Sequence, residues 1–163
     1  MARALLIGCG CRARELGARL LAEGWMVRGT TRAAERTKAI ERAGIEAAVA
    51  DPDRVGTVLA QIADVAVVGW LLGSAKGDPE RLAALHGPRL ERLCEELVDT
   101  PVRGLVYEAA GSVTPERLRE GRRVIADASA RWRIPVEVLE HDPADARGWA
   151  LAAEAAFGRV VGL

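Results

Sequence analysis

Short apolar runs alternate along the whole chain with stretches whose apolar side chains recur every three or four positions. The first pattern is that of a strand buried on both faces, the second that of an amphipathic helix. Ala4 to Ile7 reads as a strand. Cys11 to Glu23 reads as a helix with Leu16, Leu20 and Leu21 on one face and Gly24 ending it. The pattern then predicts a strand at Met26 to Gly29, a helix at Ala33 to Ala43, a strand at Glu46 to Val49 and a helix at Pro52 to Ile62. Val65 to Trp70 is apolar almost throughout, as a strand covered on both faces should be. A glycine-rich loop leads to a helix from Pro79 to Val98, with Gly87-Pro88 as its expected break. A strand at Val102 to Tyr107 follows. The next helix opens at Thr114-Pro115-Glu116, a cap residue before a proline at the first helical position, and ends near Trp132. A strand at Val136 to Leu139 and a helix from Pro143 to about Val161 close the chain.

Six β–α units in succession predict an α/β fold: a doubly wound, six-stranded parallel sheet in the order 3-2-1-4-5-6, with helices on both faces. A length of 163 residues suits a single domain over residues 1–163. With 23 basic and 23 acidic residues the formal net charge is zero, which argues against a general binder of nucleic acid or membrane surfaces. Nothing at Met1-Ala2-Arg3 resembles a signal peptide, and no apolar segment reaches the roughly 18 residues of a membrane span, so a cytoplasmic location is the expectation. Three cysteines, Cys9, Cys11 and Cys94, are no disulfide framework. Cys9-x-Cys11 lacks a second pair with ligand spacing, so no metal site is expected. Cys11, at a helix start beside Arg12, is a candidate reactive thiol.

The candidate chemistry begins where the first strand ends. Gly8-Cys9-Gly10-Cys11-Arg12-Ala13 has the G-x-G-x-x-A form of a dinucleotide-binding turn. Gly8 permits the tight turn, Gly10 lets backbone approach a pyrophosphate, and Ala13 is small enough for helix and strand to pack closely. The helix N-terminus offers free N–H groups and a partial positive charge to the phosphates. An NAD site places an acid at the end of the second strand to hold the ribose hydroxyls. Here that stretch is Arg28-Gly29-Thr30-Thr31-Arg32, two hydroxyls and two guanidiniums with no acid. A guanidinium pairs a 2′-phosphate through two hydrogen bonds, which favours NADP over NAD. Arg32 is the first candidate, with Thr30, Thr31 and Arg12 in support. Gly69, at the end of the fourth strand, is where close backbone approach to the cofactor is expected, and Trp70 beside it is a candidate for the pocket mouth.

These residues, with Ala50-Asp51-Pro52, His86-Gly87-Pro88-Arg89-Leu90 through Val106-Tyr107, and Ile134-Pro135-Val136, resemble the extended and atypical short-chain dehydrogenase/reductase superfamily. These are NAD(P)-binding Rossmann proteins of sugar-epimerase type, and the likeness covers nearly the whole chain. It implies a dinucleotide cofactor, with Asp51 facing the adenine amino group; the residue also fits as a plain cap of the next helix. The superfamily's catalysis rests on Tyr-x-x-x-Lys, and this chain has none. Its one tyrosine is Tyr107, and its only lysines, Lys38 and Lys76, precede it. The dyad would fall near Thr114 and Leu118, which cannot replace it. The resemblance also implies a substrate domain largely after the sixth strand, where only 24 residues follow Leu139.

Two readings stand. One is an NADP(H)-binding protein without the usual dyad, acting as a nucleotide-dependent sensor or partner protein. The alternative is a small NAD(P)-dependent reductase or epimerase-like enzyme using Tyr107 and Glu108, or one of the histidines, His86 and His141. Glu108 reads more simply as a loop acid in water. The final helix, with Trp149, Leu151, Ala152, Ala155, Ala156, Phe157, Val160 and Val161, carries more apolar surface than one stripe needs, and a homodimer through it is expected.

Overall fold

A computed structural model describes residues 2–163. The strands are β1 (Arg3–Ile7), β2 (Met26–Thr31), β3 (Glu46–Val49), β4 (Val67–Trp70), β5 (Gly104–Glu108) and β6 (Val136–Leu139). The helices are α1 (Cys11–Ala22), α2 (Thr37–Arg42), α3 (Val55–Leu59), α4 (Pro79–Leu85), α5 (Pro88–Leu97), α6 (Pro115–Trp132) and α7 (Ala146–Val160), with one 3₁₀ turn at Ala34–Arg36. The sheet is wholly parallel, in the order β3-β2-β1-β4-β5-β6. The alternation of strand and helix therefore fixes the architecture. The chain starts in the middle of the sheet, builds one edge, then returns to β1 to build the other. The C-terminal ends of β1 and β4 diverge at this reversal, which is where a doubly wound sheet opens a crevice.

Boundaries differ from the periodic reading where local hydrogen bonding intervenes. The expected helix from Pro52 shrinks to Val55–Leu59, because Asp51 Oδ1 accepts the Asp53 N–H in a tight turn. The helix expected from Ala33 opens as a 3₁₀ turn and becomes α-helical only at Thr37. The expected break at Gly87-Pro88 divides α4 from α5, each with proline in its first turn. Thr114 is the N-cap of α6, but its hydroxyl makes no cap bond.

Each sheet face carries its own apolar layer. Leu6, Leu16, Leu20, Trp25, Ile45, Trp149 and Phe157 lie in the layer under α1, α2 and α7. Leu5, Ile7, Val68, Trp70, Leu90, Leu93 and Tyr107 lie in the layer under α3 to α6. Burial of a side chain such as Phe157 is worth about 2–3 kcal/mol. Helix α7 spends its apolar stripe here: Trp149, Ala150, Ala153, Ala156, Phe157 and Val160 are buried. Of its large apolar side chains only Leu151 is exposed. The surplus that motivated a dimer through this helix is thus largely taken up by the sheet and α1. No described helix is long and apolar enough to cross a membrane.

Two helices pack closely against their neighbours at glycines. A Cβ on Gly121 of α6 would collide with the Tyr107 hydroxyl, and one on Gly17 of α1 with the Ile45 side chain. The close approach of α1 thus falls one turn beyond Ala13, itself buried. Two results follow. Gly121→Ala lowers stability by about 1–3 kcal/mol in urea unfolding, although alanine is the better helix former by about 1 kcal/mol, because overpacking against a buried ring outweighs propensity. The second concerns His86, which is fully buried and held neutral: burial pushes its pKa below 6.5. The unfolded state binds the extra proton, so stability is retained above about pH 6.5 and falls as pH drops below it. Glu108, pushed upward by burial, contributes with the opposite sign. Comparing urea midpoints of wild type and His86→Gln between pH 7.5 and 5.5 cancels the Glu108 contribution, and the slope flattens in the variant.

Candidate functional site

The glycine turn sits at the reversal point. Gly8 has φ +88°, a left-handed conformation that favours glycine, and a Cβ there would lie 2.6 Å from the Leu71 carbonyl oxygen. Gly10 differs: its φ of −86° is ordinary, and a Cβ on it would meet nothing within 4 Å. It faces open space. Gly10 is also the N-cap of α1, whose first turn holds no acid and whose leading N–H groups have no intrahelical acceptor. The turn is braced by Cys9 N–H donating to the Thr30 carbonyl at 3.2 Å and Arg14 N–H donating to the Gly10 carbonyl at 2.9 Å.

On the β2 and β3 side of this turn lies a cleft of about 860 Å³. Gly8, Cys9 and Gly10 line it, as do Thr30, Thr31, Arg32 and Asp51. Five cations, Arg14, Arg32, Arg36, Lys76 and Arg81, face it against one carboxylate, that of Asp51. Thr31 Oγ1 accepts the Ala33 N–H at 3.2 Å and closes the turn after β2. Asp53 sits just behind the wall. It binds Arg81 at 2.6 Å, Arg89 at 3.4 Å and, at 3.9 Å, the exposed Arg32. Among the described residues no carboxylate stands within ion-pair distance of Arg14, Arg36 or Lys76. The cleft therefore carries uncommitted positive charge.

Several expected site residues lie elsewhere. Trp70 is fully buried and donates its indole N–H to the Leu85 carbonyl at 3.1 Å, so it belongs to the core and not to the mouth. Gly69 makes room for Phe157, whose Cζ a Cβ would approach to 2.6 Å, and the close approach there is internal. Arg12 leaves the cleft: its guanidinium carbon lies 5.1 Å from the Trp149 ring centroid and its Nη2 3.5 Å from Glu108. Arg28 is spent on Asp64 at 2.8 Å and Glu46 at 3.1 Å, near the other end of β2. Cys9 is buried against Gly29 while Cys11 is exposed and accepts from Arg14 at 3.2 Å, so the two thiols do not converge.

The candidate acid/base residues of β5 are inside the protein. Tyr107 is fully buried and its hydroxyl lies 2.6 Å from His86 Nδ1. His86 Nε2 lies 3.1 Å from the Leu72 carbonyl, so Nε2 carries the proton and Nδ1 accepts from the tyrosine. Burial pushes Tyr107 above its ordinary value. Glu108 is not a loop acid in water. It is fully buried, with Oε1 accepting the Gly73 N–H and Oε2 the Trp149 indole N–H, each at 2.8 Å. His141 pairs with Asp145 at 2.8 Å on the surface at the start of α7.

The pattern reading missed Arg14, Arg36, Lys76 and Arg81. Arg14 was within reach, since two helical positions turn a side chain about 200° from that of Arg12 and place the two on opposite flanks. Lys76 and Arg81 arrive from the segment after β4, and no local signal ties them to β2.

No protein-family model matches the chain, and no curated protein sequence does. Solved structures do match. BdcA (YjgI) from E. coli superposes with a TM-score of 0.71 at 16% identity, over 96% of this chain and 93% of that one. A short-chain dehydrogenase/reductase superfamily protein from Agrobacterium tumefaciens with bound NAD gives 0.68 at 18%, over 85% of this chain and 48% of that one. Yeast methylglyoxal/isovaleraldehyde reductase Gre2, complexed with NADPH, gives 0.65 at 14%, over 84% and 56%. The chain spans about half the length of the latter two. The likeness at these identities is one of fold: the chain has the Rossmann-like architecture of short-chain dehydrogenase/reductase superfamily proteins.

Proposed function

We propose that this chain binds NADP(H) through the cleft between the glycine turn and the β2 and β3 loops, and that binding rather than turnover is its role, as a nucleotide-dependent sensor or partner protein. One observation carries the reading. A cleft that begins at an open Gly10 and the N-terminus of α1 is lined by five cations and one carboxylate. The pyrophosphate lies over Gly10 and the helix N-terminus. Arg32 pairs the 2′-phosphate, Arg14 and Arg36 add positive charge at the same wall, and Asp51 lies on the adenosine side. Solved structures of this fold include one with NAD and one with NADPH, so a nicotinamide dinucleotide fits the architecture. The absence of an acid at the end of β2 favours the phosphorylated form.

Turnover is disfavoured because the polar atoms of Tyr107, His86 and Glu108 are already engaged with buried partners. A proton donor must reach its substrate, and these are under the surface. The alternative, a small reductase or epimerase-like enzyme, would be supported by steady NADPH oxidation with a carbonyl substrate that Tyr107→Phe or Glu108→Gln abolishes.

Calorimetric titration tests the binding reading. NADPH binds at least about tenfold more tightly than NADH, and Arg32→Ala loses about tenfold for NADPH alone, which is about 1.4 kcal/mol and within the range of one charge-assisted hydrogen bond. Equal affinity for the two nucleotides, or no heat with either, would overturn it. Gly10→Ala separates binding from folding. The added methyl meets no protein atom, so the unfolding midpoint stays within about 0.5 kcal/mol of wild type, while NADPH affinity drops by about tenfold or more, because the methyl stands where the phosphates approach. Gly8→Ala, forced into φ +88° and against a backbone oxygen, lowers the midpoint itself.

A further inference from the structure

We infer that the site recognises the adenosine 2′-phosphate end of its ligand and is indifferent to the nicotinamide end, so that adenosine 2′,5′-bisphosphate, NADP⁺ and NADPH bind with nearly equal affinity. This rests on the NADP(H) reading above and deepens it.

The crevice is asymmetric across the glycine turn. A doubly wound sheet offers two mononucleotide halves on either side of the point where the pyrophosphate sits. The half over β1, β2 and β3 has the large cleft and the free cations. The half over β4, β5 and β6 is closed by the protein itself. Gly73, after β4, and Gly111, after β5, are in backbone contact: a Cβ on Gly111 would run into the Gly73 carbonyl, and one on Gly73 into the Ala110 carbonyl. Val113 N–H donates to the Gly73 carbonyl at 3.0 Å, Ser112 N–H to Ser74 Oγ at 3.2 Å, and Gly73 N–H to Glu108 at 2.8 Å. The two loops are laced together over the strand ends where a nicotinamide would otherwise sit.

A hollow of about 200 Å³ opens on that side beside Arg12, Leu71 and Trp149. Its polar side chains are already engaged. Arg12 is pinned between Glu108 and the Trp149 ring, the Trp149 indole N–H is used on Glu108, and Cys11 accepts from Arg14. A nicotinamide carries a carboxamide with donors and an acceptor. Burial without partners would leave those groups unsatisfied, so the ring stays in water. Among the described residues, Arg12 is the one charged side chain lining this hollow, and it is paired with Glu108, so no uncompensated charge there separates the cationic oxidised ring from the neutral reduced one. The protein then responds to the total of phosphorylated dinucleotide, and not to its redox state.

The test is calorimetric titration of the full chain with four probes: adenosine 2′,5′-bisphosphate, NADP⁺, NADPH and nicotinamide mononucleotide. The expected result is that the first three agree within about fivefold, which is about 1 kcal/mol, and that nicotinamide mononucleotide gives no heat at millimolar concentration. In addition, the nicotinamide emission of NADPH keeps its free-solution intensity and wavelength on binding. If NADPH or NADP⁺ binds more than about fivefold tighter than the bisphosphate, or the emission shifts to the blue and brightens, this inference fails while the NADP(H) reading stands. If none of the four binds, both fail together.

Discussion

Three distant parts of the chain converge on the buried carboxylate of Glu108. The loop after β4 reaches it through the Gly73 N–H, helix α7 through the Trp149 indole, and the start of α1 through Arg12. Without these partners a carboxylate with no solvent contact would carry an uncompensated desolvation cost. With them, it ties α1 and α7, which lie on one face of the sheet, to the loop after β4. Removing one of its N–H donors leaves part of the buried carboxylate without a partner, at a cost of about 1–3 kcal/mol. The desolvation that raises the Glu108 pKa is opposed first by Arg12 and then by the two N–H donors. The same arrangement fixes Arg12 over Trp149 and so decides which flank of the glycine turn keeps open space.

That decision divides the crevice. On one flank the backbone recedes at Gly10, and cations from β2, from α1 and from the segment after β4 face an open volume. On the other, polar groups that could serve a ligand are bonded to each other: Tyr107 to His86, Glu108 to Trp149. The fold offers two equivalent binding halves, and in this chain the side chains have spent one of them on cohesion. Architecture alone says little about activity, since one fold hosts many sites. What sets this chain apart is where its polar atoms are already committed.

The sheet order, the glycine turn and the break at Gly87-Pro88 could be read from the chain because they depend on local periodicity and on the conformational limits of glycine and proline. Arg32, Thr30, Thr31 and Asp51 could be placed at the cleft because a parallel sheet puts the ends of β2 and β3 on the ligand side. The fates of Trp70, Gly69 and Arg28 were not legible in the same way. Trp70 was read as lining the mouth from its position at the end of β4, but it shares with Val68 the sheet face that α4 and α5 cover, and the Leu85 carbonyl takes its indole N–H. Gly69 answers to Phe157, 88 residues later. Glu108 looked like a solvent-exposed loop acid because its partners, Gly73, Trp149 and Arg12, are contributed by three segments that share no local pattern with it. Long-range polar satisfaction has no periodic signature.

The unequal exposure of the thiols has a practical side. Cys9 and Cys94 are buried, and desolvation pushes each thiol up to about 12, whereas Cys11 is exposed at the rim of the glycine turn. Thiol-directed reagents react with thiolates that solvent can reach. The unaltered protein therefore presents a single addressable point for covalent labelling, adjacent to where phosphates would enter, and an environment-sensitive dye attached there would report on the filling of the cleft without any engineered cysteine.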